Sequence, residues 1–546
     1  MLAPKPRGDE FFQSSIRETS KYRNEIPDFY CHHRCDTEYI RDALEPEIAY
    51  WNYMDPVLID AGTGKGKSTF VIEVLIQRAQ RLGKNVVILS NRSALNLQQK
   101  LAVIRCVEPE LEELLTAKGI RDRDIFGNTA VLVYQALPRF VNDPSNRAWL
   151  ENVLYLVADE CHYFCSDAGF NRNCEYHLML ITEHFKRAIR IYQTATSWDV
   201  LYVLAEAEKH ISYLRERVSA VVGYFGMGHV RQFHRYYWEE NFDHVDLHFT
   251  AGLDEITQII CQKPREKFLV FVDSKERGRE FARELGNRAI YLDADSKGSK
   301  EMEKLLKDNA FEAQVLVTTK VLDCGINIWD EKLRNVVVMT DDRTSMIQML
   351  GRKRCKPGER VNLYVCDMPR QVLLKRHRDG CVPYEAKLRY EKYGEENRRR
   401  IGREIWNGDD DRLRLYFRLT DSGLVKNHLA FYALIRKLFF YEDILLEKTT
   451  FRAAVCEWLG KTLEPEVVPA DELAAFCEAH LGQELSEGEI ATVRELIVKA
   501  AGATGFVEPQ PTRVATLGRD ALNNRMGKFN SPYRFEKNIW KINKED

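Results

Sequence analysis

The chain has 546 residues, of which 45% are hydrophobic and 30% are charged, and its formal net charge is -2. This length exceeds what one hydrophobic core usually covers, so three or four domains are expected. No run of about 18 apolar residues is present, which argues against a membrane-spanning helix. The near-neutral charge gives no global electrostatic reason for a polyanionic partner, so any nucleic-acid surface must be local.

The N-terminal end and the cysteine content favour the cytoplasm. The first residues, MLAPKPRGDEFFQSS, have no apolar stretch behind their basic residues, unlike a secretory signal. Thirteen cysteines is an odd number, and a cytosolic chain of this size more often carries thiols than disulfides. We therefore expect a cytoplasmic protein without a disulfide framework.

Residues 1–55 are interpreted as an N-terminal extension with one conspicuous cluster, CHHRC at residues 31–35. Cysteine and histidine are typical zinc ligands. Zinc sites usually draw ligand pairs from separated segments, however, and no second pair of residues lies at a suitable spacing. The sequence therefore does not favour a zinc site here.

Two tracts alternate short apolar runs with amphipathic stretches, and these are residues 56–200 and 264–370. The first contains PVLID, NVVILS, AVLVYQ and VLYLVADE, and the second contains KFLVFVDS, RAIYLDAD, QVLVTTK, RNVVVMT and VNLYVCD. Continuous Val, Ile and Leu runs between helices are typical of parallel strands buried on both faces. The predicted fold class is therefore α/β, with two tandem parallel-sheet units.

The remaining tracts are predicted to be mainly helical. Residues 201–263 are interpreted as a linker or insert, and residues 371–546 as an accessory region. Residues 371–406 hold ten Lys and Arg against six Asp and Glu, which fits either a phosphate-tracking helix face or a solvated charged face. The last segment, RDALNNRMGKFNSPYRFEKNIWKIN, predicts a helix and a two-stranded ribbon, as in a winged helix or a simple hairpin.

The stretch DAGTGKGKST at residues 60–69 follows a predicted strand and precedes a predicted helix, as a phosphate-binding loop does. Its glycines allow a tight turn that points backbone N–H groups at phosphate oxygens. Lys67 would reach the β- and γ-phosphates of ATP, Ser68 would bind Mg²⁺, and the Lys65 side chain would point outward. The predicted ATP-binding residues here are Ala61, Gly62, Thr63, Gly64, Lys65, Gly66, Lys67, Ser68 and Thr69.

Two adjacent carboxylates, Asp159 and Glu160, follow the predicted strand VLYLVA. A buried strand has no structural need for neighbouring acids. Magnesium-assisted hydrolysis needs one acid near the metal and another near the attacking water. We therefore predict that Asp159 holds Mg²⁺ and that Glu160 is the catalytic base.

The segments AGTGKGKS and DECH resemble motifs I and II of the superfamily 2 helicases and translocases, the DEAD/DEAH-like group. In that family motif I often begins with Ala, as it does at Ala61. Further segments resemble the later motifs in the expected order, and these are NRSALNLQQ, VYQ, TATS, FLVFVDS, TTKVLDCGIN and QMLGRKRC. The resemblance implies two RecA-like domains with an ATP-hydrolysing cleft between them.

The resemblance also assigns roles to single residues. In QMLGRKRC it implies that Gln348 contacts the γ-phosphate or water and that Arg352 stabilises the developing charge. The family's second arginine falls at Cys355, so either Arg354 takes that place or Arg352 acts alone.

Three further groups of residues are implied. Asp323 and Gly325 would contact ATP. His162, Thr194 and Thr196 would couple hydrolysis to strand contacts. The predicted nucleic-acid contacts are Arg92, Tyr134, Gln135, Ser274, Lys275 and Thr318.

The predicted function is an ATP-dependent, Mg²⁺-requiring helicase or translocase, with DNA favoured over RNA as its partner. A second hypothesis is an ATP-gated nucleic-acid-binding or remodelling component of a replication or defence complex, without unwinding activity.

Overall fold

The structure is a computed structural model. It describes residues 30–208, 232–296, 299–320, 327–356, 358–392, 394–408, 412–420, 423–463, 469–503, 518–528, 532–536 and 539–544.

The first sheet has eight strands and defines domain 1. The strand bounds are β1 Tyr30–Arg34, β2 Val57–Asp60, β3 Asn85–Ser90, β4 Ile125–Phe126, β5 Thr129–Val133, β6 Val153–Ala158, β7 Ile189–Thr194 and β8 Phe233–Tyr237. Their spatial order is β1-β8-β2-β7-β6-β3-β5-β4. Every pairing is parallel except β4 with β5. The carboxyl ends of the parallel strands, where the motif residues lie, therefore share one edge of the sheet.

The second sheet has six strands and defines domain 2. The strand bounds are β9 Val245–Thr250, β10 Lys267–Phe271, β11 Ala289–Leu292, β12 Val315–Thr318, β13 Leu333–Val338 and β14 Val361–Cys366. Their order is β11-β12-β10-β13-β14-β9, and all pairings are parallel. The nine strands predicted from apolar runs are all present, which confirms the α/β class.

The helices flank these sheets and fill the C-terminal part. Their bounds in domain 1 are α1 Ile40–Leu44, α2 Lys67–Phe70, α3 Gln77–Arg81, α4 Ser93–Val107, α5 Leu111–Leu114, α6 Ala117–Asp122, α7 Leu137–Asn142, α8 Arg147–Glu151, α9 Tyr163–Ser166 and α10 Cys174–His184. A π-helical turn at Val71–Ile76 joins α2 to α3. Residues 201–208 are also helical. Domain 2 contains α11 Leu253–Gln262, α12 Lys275–Leu285, α13 Lys300–Asp308 and α14 Arg343–Leu350.

The first sheet is buried on both faces. Neighbouring residues of β6 belong to different apolar clusters: Leu156 packs in one cluster, whereas Tyr155 and Val157 pack in the other. This two-sided burial explains why the inner strands read as continuous apolar runs.

The predicted domain limits need correction. Cys31 and its neighbours form the edge strand β1 rather than an extension outside domain 1. The tract 201–263 is not only a helical linker, because it supplies β8 to the first sheet and β9 to the second. Neither strand contains a Val/Ile/Leu run. Each forms because it pairs with a neighbouring strand of the sheet.

The C-terminal region divides into two parts. Residues 375–448 belong to the same compact unit as both domains, and residues 368–374 with 449–546 form a second compact unit. The elements are α15 Arg370–Lys392, α16 Gly394–Asn407, α17 Leu413–Tyr416, β15 Phe417–Thr420, β16 Gly423–Lys426, α18 His428–Leu445, α19 Phe451–Trp458, α20 Pro469–Ala479, α21 Glu487–Ala503, α22 Arg519–Lys528, β17 Tyr533–Phe535 and β18 Ile542–Lys544.

The C-terminal unit has the predicted helix followed by a two-stranded ribbon. β17 and β18 pair antiparallel, and they share an apolar core with α20, α21 and α22. Of the described helices, none combines the length and the apolar character needed to cross a membrane.

Candidate functional site

The loop between β2 and α2 has the backbone of a phosphate cradle. Gly64 and Gly66 have φ angles of 88° and 83°, in the region that favours glycine. Ala61 is buried, and its N–H donates to the Thr194 carbonyl at 3.0 Å. Lys67 Nζ donates to the carbonyl oxygens of Ala61 at 2.7 Å and Gly62 at 3.1 Å. The Lys67 ammonium group thus lies against the backbone of the loop in which phosphate would bind.

Asp159 lies at the end of β6, where its carboxylate is buried. Its Oδ2 accepts a hydrogen bond from Gln99 Nε2 at 2.7 Å, and its Oδ1 accepts from the Glu160 N–H at 3.0 Å. Burial and the neighbouring Glu160 raise the pKa of Asp159 to about 7. A bound divalent cation reverses such a shift. Asp159 and Ser68 line the same small cavity.

Glu160 has a strained backbone and a buried carboxylate oxygen. Its φ of 50° is unusual for a residue other than glycine. Oε2 is buried and pairs with His162 Nδ1 at 3.2 Å, and the same nitrogen lies 3.0 Å from Thr194 Oγ1. No other hydrogen-bond partner of Oε2 is present among the described residues.

The electrostatic surroundings keep Glu160 ionised. Burial alone would raise its pKa, but His162, Lys67 and Arg352 outweigh burial and lower the pKa to about 2. A charged carboxylate in a buried position can orient a water molecule and accept its proton.

The three predicted coupling residues form a continuous chain of contacts. His162 Nδ1 pairs with Thr194 Oγ1, and Thr194 Oγ1 accepts the Thr196 N–H at 2.9 Å. Because the Thr194 carbonyl also accepts the Ala61 N–H, motifs I, II and III are connected directly. A shift at the phosphate loop can therefore reach the TATS segment.

Gln348 is buried on α14, and its side-chain amide contacts Arg352. Its Oε1 accepts a hydrogen bond from Arg352 Nη2 at 2.9 Å, which fixes the amide orientation. Its Nε2 is then a buried donor without a partner among the described residues. Arg352 also donates from Nε to the Gln348 carbonyl at 3.0 Å.

Arg354 lies beside Arg352 at the same cleft. Its Nε donates to Asn327 Oδ1 at 2.8 Å. Burial and the neighbouring Arg352 lower the pKa of Arg354 to about 10, whereas Glu160 acts in the opposite direction. Both arginines therefore lie within electrostatic reach of the Glu160 carboxylate.

Domain 2 meets the phosphate loop at Gly351, the residue that follows α14. A Cβ atom at this position would come within 3.1 Å of Thr63 Cγ2. Glycine therefore permits close approach of motif VI to motif I. This contact brings the two halves of the cleft together.

A second contact joins the domains next to TATS. Trp198 Nε1 donates to Thr344 Oγ1 at 3.1 Å, and the Arg343 guanidinium lies 3.9 Å from the Trp198 ring centroid. Thr344 also donates to the Asp199 carboxylate. Sequence reasoning missed Trp198 and Asp199, although they directly follow the TATS segment.

Gln99 is a further site residue that was not singled out. It lies in the segment NRSALNLQQ on α4, and it is 8% exposed. A polar residue on the core-facing side of an amphipathic helix is a signal that could have indicated its contact with Asp159.

Two of the residues predicted to contact nucleic acid have buried side chains in this structure. Tyr134 is fully buried, its hydroxyl donates to the Asp159 carbonyl at 2.9 Å, and its ring stacks on Tyr163. Thr318 is fully buried at the end of β12. Both residues support the strand ends.

The other four residues predicted to contact nucleic acid differ in their exposure and in their partners. Arg92 pairs with Asp167 at 2.7 Å, and Gln135 is exposed. Ser274 caps α12, and Lys275 pairs with Asp295 at 2.6 Å. Asp323 and Gly325, predicted to contact ATP, lie outside the described residues.

The donor set fits Mg²⁺ and ATP. A glycine-rich cradle ends at a lysine, and a hydroxyl and a carboxylate line one cavity. Buried polar atoms without a recorded hydrogen bond among the described residues occur on both sides of the cleft. Hydroxyl and carboxylate oxygens are suitable ligands for Mg²⁺, and the loop N–H groups suit phosphate.

Two family models match the chain over the regions just described. The model described as “Type III restriction enzyme, res subunit” matches residues 30–198. The model described as “Helicase conserved C-terminal domain” matches residues 251–355. No curated protein gives a significant match.

Several solved structures are also similar. S. cerevisiae Dbp5 bound to RNA and ADP BeF3 is 15% identical, with 59% of this chain and 82% of that chain covered and a TM-score of 0.42. Mycobacterium smegmatis helicase Lhr bound to ssDNA and AMP-PNP is 13% identical, with 94% and 59% covered and a TM-score of 0.43. DEAD-box helicase Mss116 bound to ssRNA and UDP-BeF is 13% identical, with 97% of both chains covered and a TM-score of 0.44.

The classification rests on the two family models and the motifs, because all of these TM-scores are below 0.5. The two models fall on the two parallel-sheet domains, and the motif residues of both domains meet at one cleft. The chain is thus a superfamily 2 helicase-type enzyme, a nucleic-acid-dependent ATPase with two RecA-like domains and a mainly helical C-terminal region.

Proposed function

We propose that this chain hydrolyses ATP in the cleft between its two domains in order to move along or unwind nucleic acid, with DNA favoured over RNA. One observation carries the proposal. Glu160 Oε2 in domain 1, which pairs with His162 Nδ1 at 3.2 Å, and Gln348 Nε2 in domain 2 are both buried polar atoms without a recorded hydrogen bond among the described residues. Native proteins rarely leave the hydrogen-bonding capacity of such atoms unused, so each is suited to a substrate or water.

Each site residue has a proposed role. Residues 61–69, with Asp323 and Gly325, would hold the nucleotide, and Ser68 and Asp159 would hold Mg²⁺. Mg²⁺ supplies charge neutralisation at the phosphates when it is bound. Glu160 would orient the attacking water and accept its proton, while Arg352 and Arg354 stabilise negative charge from the other side of the cleft.

The route from hydrolysis to movement is proposed to run through His162, Thr194 and Thr196, which link the phosphate loop to the TATS segment. The proposed strand contacts are Arg92, Gln135, Ser274 and Lys275. The preference for DNA rests on analogy of the DECH form and the helical C-terminal region with DNA-acting helicases. Action in the cytoplasm, within a replication or defence complex, belongs to the same proposal.

ATP turnover with different polynucleotides tests this proposal. Phosphate release should rise with single-stranded DNA more than with RNA or duplex DNA, and Lys67→Ala should abolish it. Lys84→Ala is the matched control, because Lys84 is exposed at the opposite end of the sheet. Equal turnover in Lys67→Ala and wild type would refute the proposal, and greater stimulation by RNA would reverse the stated preference.

A second candidate function is ATP-gated binding or remodelling without unwinding. Cys355 favours it, because the superfamily's second motif VI arginine is absent from that position. A strand-displacement assay separates the two candidates. Nucleic-acid-stimulated turnover without displacement would favour the second candidate.

A further inference from the structure

Three metal-ligand side chains meet at the edge of the first sheet, outside the ATP cleft. Cys31 and His33 lie two residues apart in β1, so their side chains share one face of the strand. β8 pairs with β1 and places His234 opposite Cys31. One ligand atom from each residue lies within 4.8 Å of the other two.

These separations are close to those of a tetrahedral metal site. His33 Nε2 and His234 Nδ1 are 3.0 Å apart. Zinc bonds of about 2.0–2.1 Å to nitrogen and about 2.3 Å to sulfur place ligand atoms roughly 3.3 to 3.6 Å apart. Small side-chain adjustments would therefore bring all three atoms to one ion.

The surroundings suit a metal ion. Cys31 is a free thiol, and all three residues are partly exposed, so an ion can enter. The His33 ring stacks against the rings of His234 and Tyr236, with centroid distances of 5.3 and 4.6 Å.

We propose that Cys31, His33 and His234 bind one zinc ion that ties the edge strand β1 to β8. One thiolate and two imidazoles favour zinc over Mg²⁺ or Ca²⁺, which prefer oxygen ligands. Three protein ligands leave the fourth tetrahedral position to solvent. His234 is about 200 residues away from His33 along the chain, so no local sequence pattern indicates this third ligand.

The position of the site points to a structural role that supports the phosphate loop. β8 lies between β1 and β2, and β2 leads into that loop. Arg235, next to His234, donates from Nε to Asp60 Oδ2 at 3.1 Å. The Trp238 N–H donates to the Asp60 carbonyl at 3.0 Å. Zinc at this edge would therefore stabilise the strand that holds Asp60.

Zinc titration of the full-length, chelator-stripped chain tests the proposal, with a chromophoric chelator as competitor. Wild type should bind one more equivalent of zinc than the Cys31→Ser/His33→Asn/His234→Asn variant, and each single variant should lose that equivalent. Cys35→Ser and His32→Asn are matched controls from the same five residues, and they should keep it. The melting temperature of wild type should rise with zinc, and that of the triple variant should not.

Cobalt substitution provides a readout that does not depend on the folding of a variant. Wild type loaded with Co²⁺ should show the visible absorption of a tetrahedral ion and a thiolate-to-cobalt charge-transfer band, and Cys31→Ser should lose that band. Absence of the band in wild type, equal zinc uptake in wild type and triple variant, or loss of zinc in Cys35→Ser would each overturn the proposal.

Discussion

At the scale of the residue, Cys355 occupies the position of the second arginine in the superfamily's motif VI. The neighbouring Arg354 is the candidate for the role of that arginine. Its guanidinium bonds to Asn327, and its pKa responds to both Arg352 and Glu160. The charge that the superfamily pattern expects at position 355 is thus present one residue earlier. This arrangement favours the hypothesis that Arg354 takes the second role over the hypothesis that Arg352 acts alone.

Replacement of this guanidinium tests that choice. Arg354→Ala should lower kcat for ATP roughly 10²-fold or more, with a small change in KM, because the lost charge acts mainly in the transition state. Steady-state kinetics with saturating single-stranded DNA measure the effect. Arg360→Ala, at an exposed arginine paired with Asp246, is the control. A wild-type kcat in Arg354→Ala would mean that Arg352 acts alone.

Single residues differ in how far the sequence could predict them. The roles proposed for Lys67 and Glu160 follow from chemistry in a strand–loop–helix context. The sequence could not predict the positive φ of Glu160, which depends on tertiary packing. The burial of the Tyr134 side chain was not predictable either, because a motif position does not reveal whether a side chain faces solvent or the core.

At the scale of the element, strands made of apolar runs were predictable, and strands made of polar and aromatic residues were not. The inner strand β3, NVVILS, is buried throughout, whereas β1 and β8 read YCHHR and FHRYY. Such polar and aromatic segments form strands only when a neighbour offers its backbone. The neighbour of β1 is about 200 residues away, so no local pattern indicates the pairing.

The helix at residues 201–208 is fixed to β7 by a fully buried ion pair. Arg190 Nε donates to Glu208 Oε1 at 2.8 Å, and the Tyr192 hydroxyl donates to the same oxygen. Both charged side chains are 0% exposed. Removal of one partner leaves a buried charge without compensation.

Arg190→Met should therefore reduce the free energy of unfolding of domain 1 by about 3–5 kcal/mol. Urea unfolding followed by circular dichroism measures this change. The control Arg187→Met alters an exposed arginine near the same strand and should have little effect. A loss below about 1 kcal/mol in Arg190→Met, as for a surface pair, would contradict the expectation.

At the scale of the whole molecule, residues 375–448 connect the two domains. Arg436 on α18 pairs with Asp199 of domain 1 at 3.0 Å, and Tyr441 on the same helix donates to Asp341 of domain 2. The sequence indicated amphipathic helices here. It could not reveal their partners, because an apolar helix face does not specify which surface covers it.

The proposed hydrolysis of ATP in the cleft between the domains depends on Glu160. One measurement tests this dependence most directly. ATP hydrolysis by Glu160→Gln should fall at least about 10²-fold with single-stranded DNA present, while ATP binding persists because the phosphate loop is unchanged. Glu151→Gln, at the opposite end of β6, should retain wild-type turnover. Stimulated hydrolysis by Glu160→Gln at the wild-type rate would contradict the assignment of this cleft as the site of ATP hydrolysis.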